Sequence, residues 1–170
     1  MATFSKESQI QLATCHPDLQ RLFIEIVKDF DCVVLYGYRT PAEQFELYKK
    51  GRVLVNGVWA ISNPRAVVTY LDGYTKKSNH NTIPSIAIDV VPYYAYYKHI
   101  RYDDTNRMYY FNGYVMGKAS TMGIKLRCGA DWDRDTEVSD ETFIDLPHFE
   151  LINALKTYVV PGAPAPVVAP

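Results

Sequence analysis

The chain has no uninterrupted apolar run near the roughly 20 residues of a membrane-spanning helix, so stable insertion into a bilayer is not expected. It has almost no net charge: 18 Lys and Arg stand against 19 Asp and Glu, a formal −1. That balance removes the electrostatic case for nucleic acid as the main partner. Cysteine is scarce, and Cys15, Cys32 and Cys128 are odd in number and widely spaced. Neither a disulfide framework nor a cysteine zinc knuckle fits; three small packed thiols in a reducing compartment do. Met1 to Glu7 are polar and lack the apolar core of a secretory leader. There is no internal repeat, no zincin helix motif and no GxSxG elbow, which sets aside two common hydrolase readings. What remains is an ordinary globular composition, 48% apolar and 22% charged over 170 residues, enough for one domain. Fourteen tyrosines are the one excess, and they suit amphipathic contact with a polar polymer.

Periodicity places the elements. Leu19, Leu22, Phe23, Ile26, Val27 and Phe30 form one helical stripe, and Cys32 to Tyr36 reads as a buried strand closed by Gly37. Thr40-Pro41-Ala42-Glu43 predicts a capped helix running to about Lys50, with Gly51 as its stop. Arg52 to Lys77 reads as loop, with turns at Asn56-Gly57 and Asn63-Pro64 and a strand over Ala66 to Tyr70. Ile86 to Val91 alternates, with Ile86, Ile88 and Val90 on one face and Ala87, Asp89 and Val91 on the other. An acid inside such a strand is unfavourable unless something pairs with it. Phe111, Tyr114, Val115, Ala119 and Met122 make a second helical stripe before Gly123. Strands are expected at Ile124 to Cys128 and from Pro147 to Leu151. The expectation is an α+β domain over residues 1–160, a small and mainly antiparallel sheet with packed helices, and a Pro/Ala-rich extended tail over 161–170.

Of four histidines, His80 lies in a polar loop feeding the strand of Asp89, and His148 follows Asp145 by three residues. Two His and one Asp make a three-ligand set that leaves a fourth tetrahedral position open, as a catalytic zinc requires. Scattered His and Asp are also often unrelated, and spacing alone leaves both readings standing.

Four co-ordered motifs resemble the zinc D-alanyl-D-alanine carboxypeptidase and L-alanyl-D-glutamate peptidase family. Ser78-Asn79-His80 through Ala87-Ile88-Asp89 is similar to its SxH…AxD signature, and Asp145-Leu146-Pro147-His148-Phe149-Glu150 to its DxPHFE element. Gly37-Tyr38-Arg39-Thr40 with Glu43-Gln44 and Leu47-Tyr48 resembles GYRS…EQ…LY, and Gly129-Ala130-Asp131-Trp132 resembles GGDW. The likeness covers residues 15 to 155. The gap from His80 to Asp89 is two residues longer than in the common motif, with Ser85 in place of Gly, as in the bacteriophage endolysin branch; Ala130 replaces a second Gly.

The resemblance implies a Hedgehog/DD-peptidase-like fold with a zinc site on the open face of the sheet, held by His80, Asp89 and His148. It implies hydrolysis of peptidoglycan stem peptides, foremost at the L-alanyl-D-glutamate bond, by a phage lysis enzyme. The alternatives are a D-alanyl-D-alanine carboxypeptidase and a non-catalytic, zinc-stabilised wall-binding module. Asp145 would serve as general base, or else be a surface acid or a histidine's partner. Arg39 would stabilise an oxyanion or hold a substrate carboxylate, or else make a salt bridge at a helix start. Ser78 would bond near the metal or cap a turn, and Trp132 would pack beneath the site. Asp131, Asp133 and Asp135 alternate as in a calcium loop, but Thr136 and Thr142 replace its Gly and Glu, so a solvated acidic loop is the default and Ca2+ the alternative. The expected protein is a monomer, made in the host cytoplasm without a signal peptide and acting on the cell wall.

Overall fold

The computed structural model describes residues 2–157. Ten regular elements and two 3-10 turns follow in order. They are α1 (Lys6–Ala13), α2 (Pro17–Asp29), β1 (Cys32–Tyr36), α3 (Pro41–Tyr48), β2 (Arg52–Val55), β3 (Val58–Ile61), β4 (Ala87–Pro92), α4 (Thr105–Thr121), β5 (Leu126–Gly129) and β6 (Asp145–Leu151). The 3-10 turns cover Pro64–Ala66 and Asn79–Asn81. The expected tail at 161–170, and with it the boundary at 160, lies outside the described residues.

The main sheet has the order β1-β4-β6-β5 with every neighbouring pair antiparallel. Alternation then decides what each face holds. Ile88 and Val90 of β4, Phe149 and Leu151 of β6, and Leu126 and Cys128 of β5 enter the core. There they meet Leu19, Leu22, Phe23 and Ile26 of α2 and Phe111, Val115 and Ala119 of α4. Phe149 is the centre of this packing, edge-on to Phe23 at 5.6 Å and to Phe111 at 6.0 Å. The residues between them, Asp89, His148, Glu150 and Arg127, therefore fall on the opposite face. This is the open sheet face expected from the sequence.

Local signals behave as their physics requires. Thr40 and Glu43 form the capping box, and α3 ends just before Gly51 at φ +74. α1 escaped the pattern reading because it is mostly polar and carries no apolar stripe, burying only Ser8 and Leu12. Between Arg52 and Lys77 the expectation is corrected. Asn56 (φ 50) and Gly57 (φ 80) make a tight turn joining β2 to β3, a hairpin where loop was expected. The strand expected over Ala66 to Tyr70 does not form: Pro64–Ala66 is a 3-10 turn, and the residues after it pair with no strand. Instead this segment is a strap tied to α3 by the Gln44 amide, which donates to the Leu71 carbonyl at 2.9 Å and the Thr69 hydroxyl at 3.2 Å. β5 begins at Leu126 and β6 already at Asp145, each shifted by two residues from expectation. Gly129 allows their close approach: a Cβ there would sit 2.2 Å from the Asp145 carbonyl oxygen. Ala130 is buried in the core, so the second position of the Gly-Ala turn tolerates its methyl group.

Candidate metal centre

β4 and β6 pair so that Asp89 lies directly opposite His148. His80 arrives from the 3-10 turn, where the Ser78 hydroxyl accepts from the His80 N–H and Asn81 Oδ1 accepts from the Ser78 N–H. Ser78 is thus a turn cap. Two further bonds staple that turn to the segment after β1: Arg39 N–H donates to the His80 carbonyl at 2.9 Å and Asn81 Nδ2 to the Arg39 carbonyl at 2.7 Å. The result brings His80 Nε2, His148 Nδ1 and Asp89 Oδ1 into a triangle with sides of 3.2, 3.2 and 3.3 Å.

The bonds behind these atoms define what the triangle can hold. His80 Nδ1 lies 2.7 Å from the Gly37 carbonyl, which can only accept, so Nδ1 carries the hydrogen and Nε2 presents a lone pair. His148 Nε2 lies 3.1 Å from the Glu150 carboxylate, so it too carries the hydrogen and Nδ1 faces inward. Asp89 Oδ2 accepts from Arg39 at 2.9 Å, leaving Oδ1 inward. Three acceptors at van der Waals range repel one another unless a cation or a proton sits between them. A tetrahedral zinc with bonds of about 2.0 Å has donor–donor edges of about 3.3 Å, so the triangle fits such an ion. Without an ion, the proton does this work. Burial would lower His148, but Asp89 and Glu150 outweigh it and lift its pKa to about 9. Burial would likewise raise Asp89, yet His80 and His148 hold it well below the ordinary carboxylate range.

Several supporting residues were not legible as site residues. Gly37 is one: a Cβ there would lie 2.3 Å from the Gln11 carbonyl oxygen and from Thr14 Oγ1, so only glycine lets the chain pass α1 with its carbonyl turned to His80. Glu150, the last residue of the DxPHFE-like element, is a second. It accepts from Arg127 Nε at 2.9 Å and Asn79 Nδ2 at 2.7 Å as well as from His148. Burial works against its charge, but these partners pull its pKa down to about 2, so it stays ionised.

The triangle opens into a cleft of about 900 Å³ whose walls include the strap at 67–71 and the segment at 141–145. Asp145 lines this cleft. Burial first, then the charge of Asp89, raises its pKa, and no protein group bonds its carboxylate among the described residues. Arg39 is buried, with one nitrogen on Asp89 and another on Gln44 Oε1 at 2.8 Å. Trp132 packs against His148 at 5.3 Å between ring centres, with its indole N–H on the Phe143 carbonyl at 2.6 Å. Asp131, Asp133 and Asp135 also stand close together on the surface, where they accept backbone N–H groups of Arg134, Thr136, Asp135 and Glu137.

Fold and site together define a small α+β domain in which two imidazoles and one carboxylate converge closely enough to hold a metal ion, at a cleft open to solvent on one side. The chain belongs to the phage L-alanyl-D-glutamate peptidase family, whose profile matches residues 1–152. The L-alanyl-D-glutamate peptidase of Escherichia phage T5 is 29% identical over 154 residues, covering 88% of this chain and 97% of that protein. The fold is shared with the crystal structure of the Serratia marcescens L-Ala D-Glu endopeptidase ChiX. The TM-score is 0.59 at 22% identity, over 88% of this chain and 90% of that one. No helix among the described residues is long and apolar enough to cross a membrane.

Proposed function

We propose that this chain hydrolyses the L-alanyl-D-glutamate bond of peptidoglycan stem peptides at the cell wall, with one zinc ion held by His80 Nε2, Asp89 Oδ1 and His148 Nδ1. The observation that carries the reading is the convergence of three inward-facing acceptors, each fixed from behind, at the floor of an open cleft. A bound zinc would supply Lewis acidity toward water and the scissile carbonyl.

The protein groups divide the remaining work. Asp145, ionised and without a hydrogen-bond partner, takes the proton from the attacking water and passes it to the leaving amine. Arg39 acts by holding Asp89, because two of its donors are already engaged by Asp89 and Gln44. Glu150 holds the His148 tautomer.

Mass spectrometry of purified peptidoglycan after digestion tests this. New N-terminal D-glutamate is the expected product, lost on chelation and restored by zinc. Released D-alanine would instead make the chain a carboxypeptidase, and no product with zinc bound would make it a binding module.

A further inference from the structure

The β2–β3 hairpin breaks the alternation that a half-solvated ribbon normally shows. Its register pairs Val53 with Ala60 and Val55 with Val58 on one face, and Arg52 with Ile61 and Leu54 with Trp59 on the other. The second face lies on α3: Trp59 meets Phe45 edge-on at 6.0 Å, and the Arg52 guanidinium lies 4.0 Å from the centre of the Tyr48 ring. The first face should then be polar. It is instead wholly aliphatic, with Val53, Val55 and Val58 48%, 49% and 68% exposed and Ala60 exposed beside them. No charged residue stands between Arg52 and Arg65. Cations gather at the base. The Gly51 carbonyl accepts from the Ser62 and Asn63 N–H groups at 2.9 and 3.0 Å, which sets Lys50 and Arg65, both exposed, at the two ends of the hairpin. From Glu46 to Lys77 there are six cations against two acids, a local charge of +4 in a chain that totals −1. Both acids are engaged: Glu46 pairs with Lys49 at 2.6 Å, and Asp72 accepts from the Tyr74 and Lys76 N–H groups of its own turn.

We propose that this hairpin docks the protein on an anionic lipid surface, its aliphatic face entering the headgroup boundary and Lys50 and Arg65 meeting the phosphates. Strands of this length rise roughly 13 Å against a hydrocarbon core of about 30 Å, so the hairpin rests on the bilayer and does not span it. An apolar face this exposed marks a contact surface, and its size and charge decide the partner. Two strands of four residues outline roughly 10 by 13 Å, far below the roughly 800 Å² that each side of a stable protein interface buries. A second copy would also bring like charges together at the base. To a glycan the face offers no aromatic ring and no hydrogen-bonding side chain. A bilayer needs neither a large matching surface nor directional bonds, and its anionic headgroups complement the cations. Lys50 and Val67, the residue after the 3-10 turn, also line the cleft, so docking would hold the cleft mouth beside the membrane.

Co-sedimentation of the full chain with vesicles of phosphatidylcholine containing roughly one-third phosphatidylglycerol tests this. The protein should partition onto them, be released as salt is raised, and stay in solution with phosphatidylcholine alone. Val55→Ser with Val58→Ser should weaken partitioning by roughly tenfold or more, and Arg65→Gln by about fivefold at low salt. Both variants should melt with the wild type, because the three side chains are exposed, and the arginine variant leaves the hairpin itself unaltered. Wild-type protein that ignores the anionic vesicles would overturn the proposal, as would partitioning that the double serine variant retains in full. A wild-type dimer in light scattering that the same variant returns to monomer would assign the face to a second copy, and so overturn it too. None of these measurements involves turnover, so their outcome is independent of the cleavage reading.

Discussion

Glu150→Gln tests the tautomer argument most sharply, because it preserves volume and changes only which atoms accept. The native carboxylate takes donors from Arg127, Asn79 and His148 at once. Glutamine offers one carbonyl oxygen and one NH2 group, so one side must face donor to donor. Arg127 wins the oxygen, since a hydrogen bond from a charged donor contributes roughly 1.5–3 kcal/mol against about 1 for a neutral one. The NH2 group then points at His148 Nε2, which must become an acceptor, and the ring hydrogen moves to Nδ1. That is the atom turned toward His80 and Asp89. Restoring an inward lone pair leaves a buried donor unpaired, so metal affinity should fall about 10- to 100-fold, or roughly 1.4–2.8 kcal/mol. Competition against a chelator of known affinity measures this, with thermal unfolding of the metal-free variant as the control for folding. A folded Glu150→Gln protein that binds zinc within threefold of the wild type would refute the claim that Glu150 sets the His148 tautomer.

Removal of an imidazole is coarser: His80→Ala or His148→Ala should lose most of the metal in elemental analysis, because two remaining donors hold zinc poorly. Asp145→Asn should keep its zinc and lose kcat by roughly 100- to 10,000-fold with KM little changed, and near-native turnover would end the general-base assignment. The same substitution should stabilise the metal-free protein. Burial and Asp89 raise the Asp145 pKa above 3.8, so its ionised form destabilises the fold. That penalty is absent below pH 3.8 and grows as pH rises through the raised value, so the Tm gain of Asp145→Asn should appear at neutral pH and vanish in acid. Finally, Phe149→Ala should reduce unfolding free energy by about 3–5 kcal/mol, measured by urea titration, since the ring is fully buried between Phe23 and Phe111.

Much of this protein is written in local periodicity. The stripe of α2, the Thr40–Glu43 capping box and the alternation of β4 each depend on residues a few positions apart, and each formed as its spacing requires. The alternation alone placed Asp89 on the face opposite Ile88 and Val90. Residue chemistry and then motif likeness added His80 and His148 as its companions; strand pairing sets His148 opposite Asp89, and the 3-10 turn adds His80. The hairpin at Asn56-Gly57 was present as a turn signal, but a turn does not say whether its flanks will pair. The strap was misjudged for the converse reason: Val67 and Val68 have strand character, yet the segment is held by side-chain bonds from Gln44 instead of by a neighbouring strand. Only the tertiary structure decided what stands behind the metal-facing atoms. Gly37 reaches His80 across 43 positions, Arg39 reaches Asp89 across 50, and Asn79 reaches Glu150 across 71. No short-range pattern encodes such partners, because strand order and register choose them, and those depend on how the two faces of the sheet are buried.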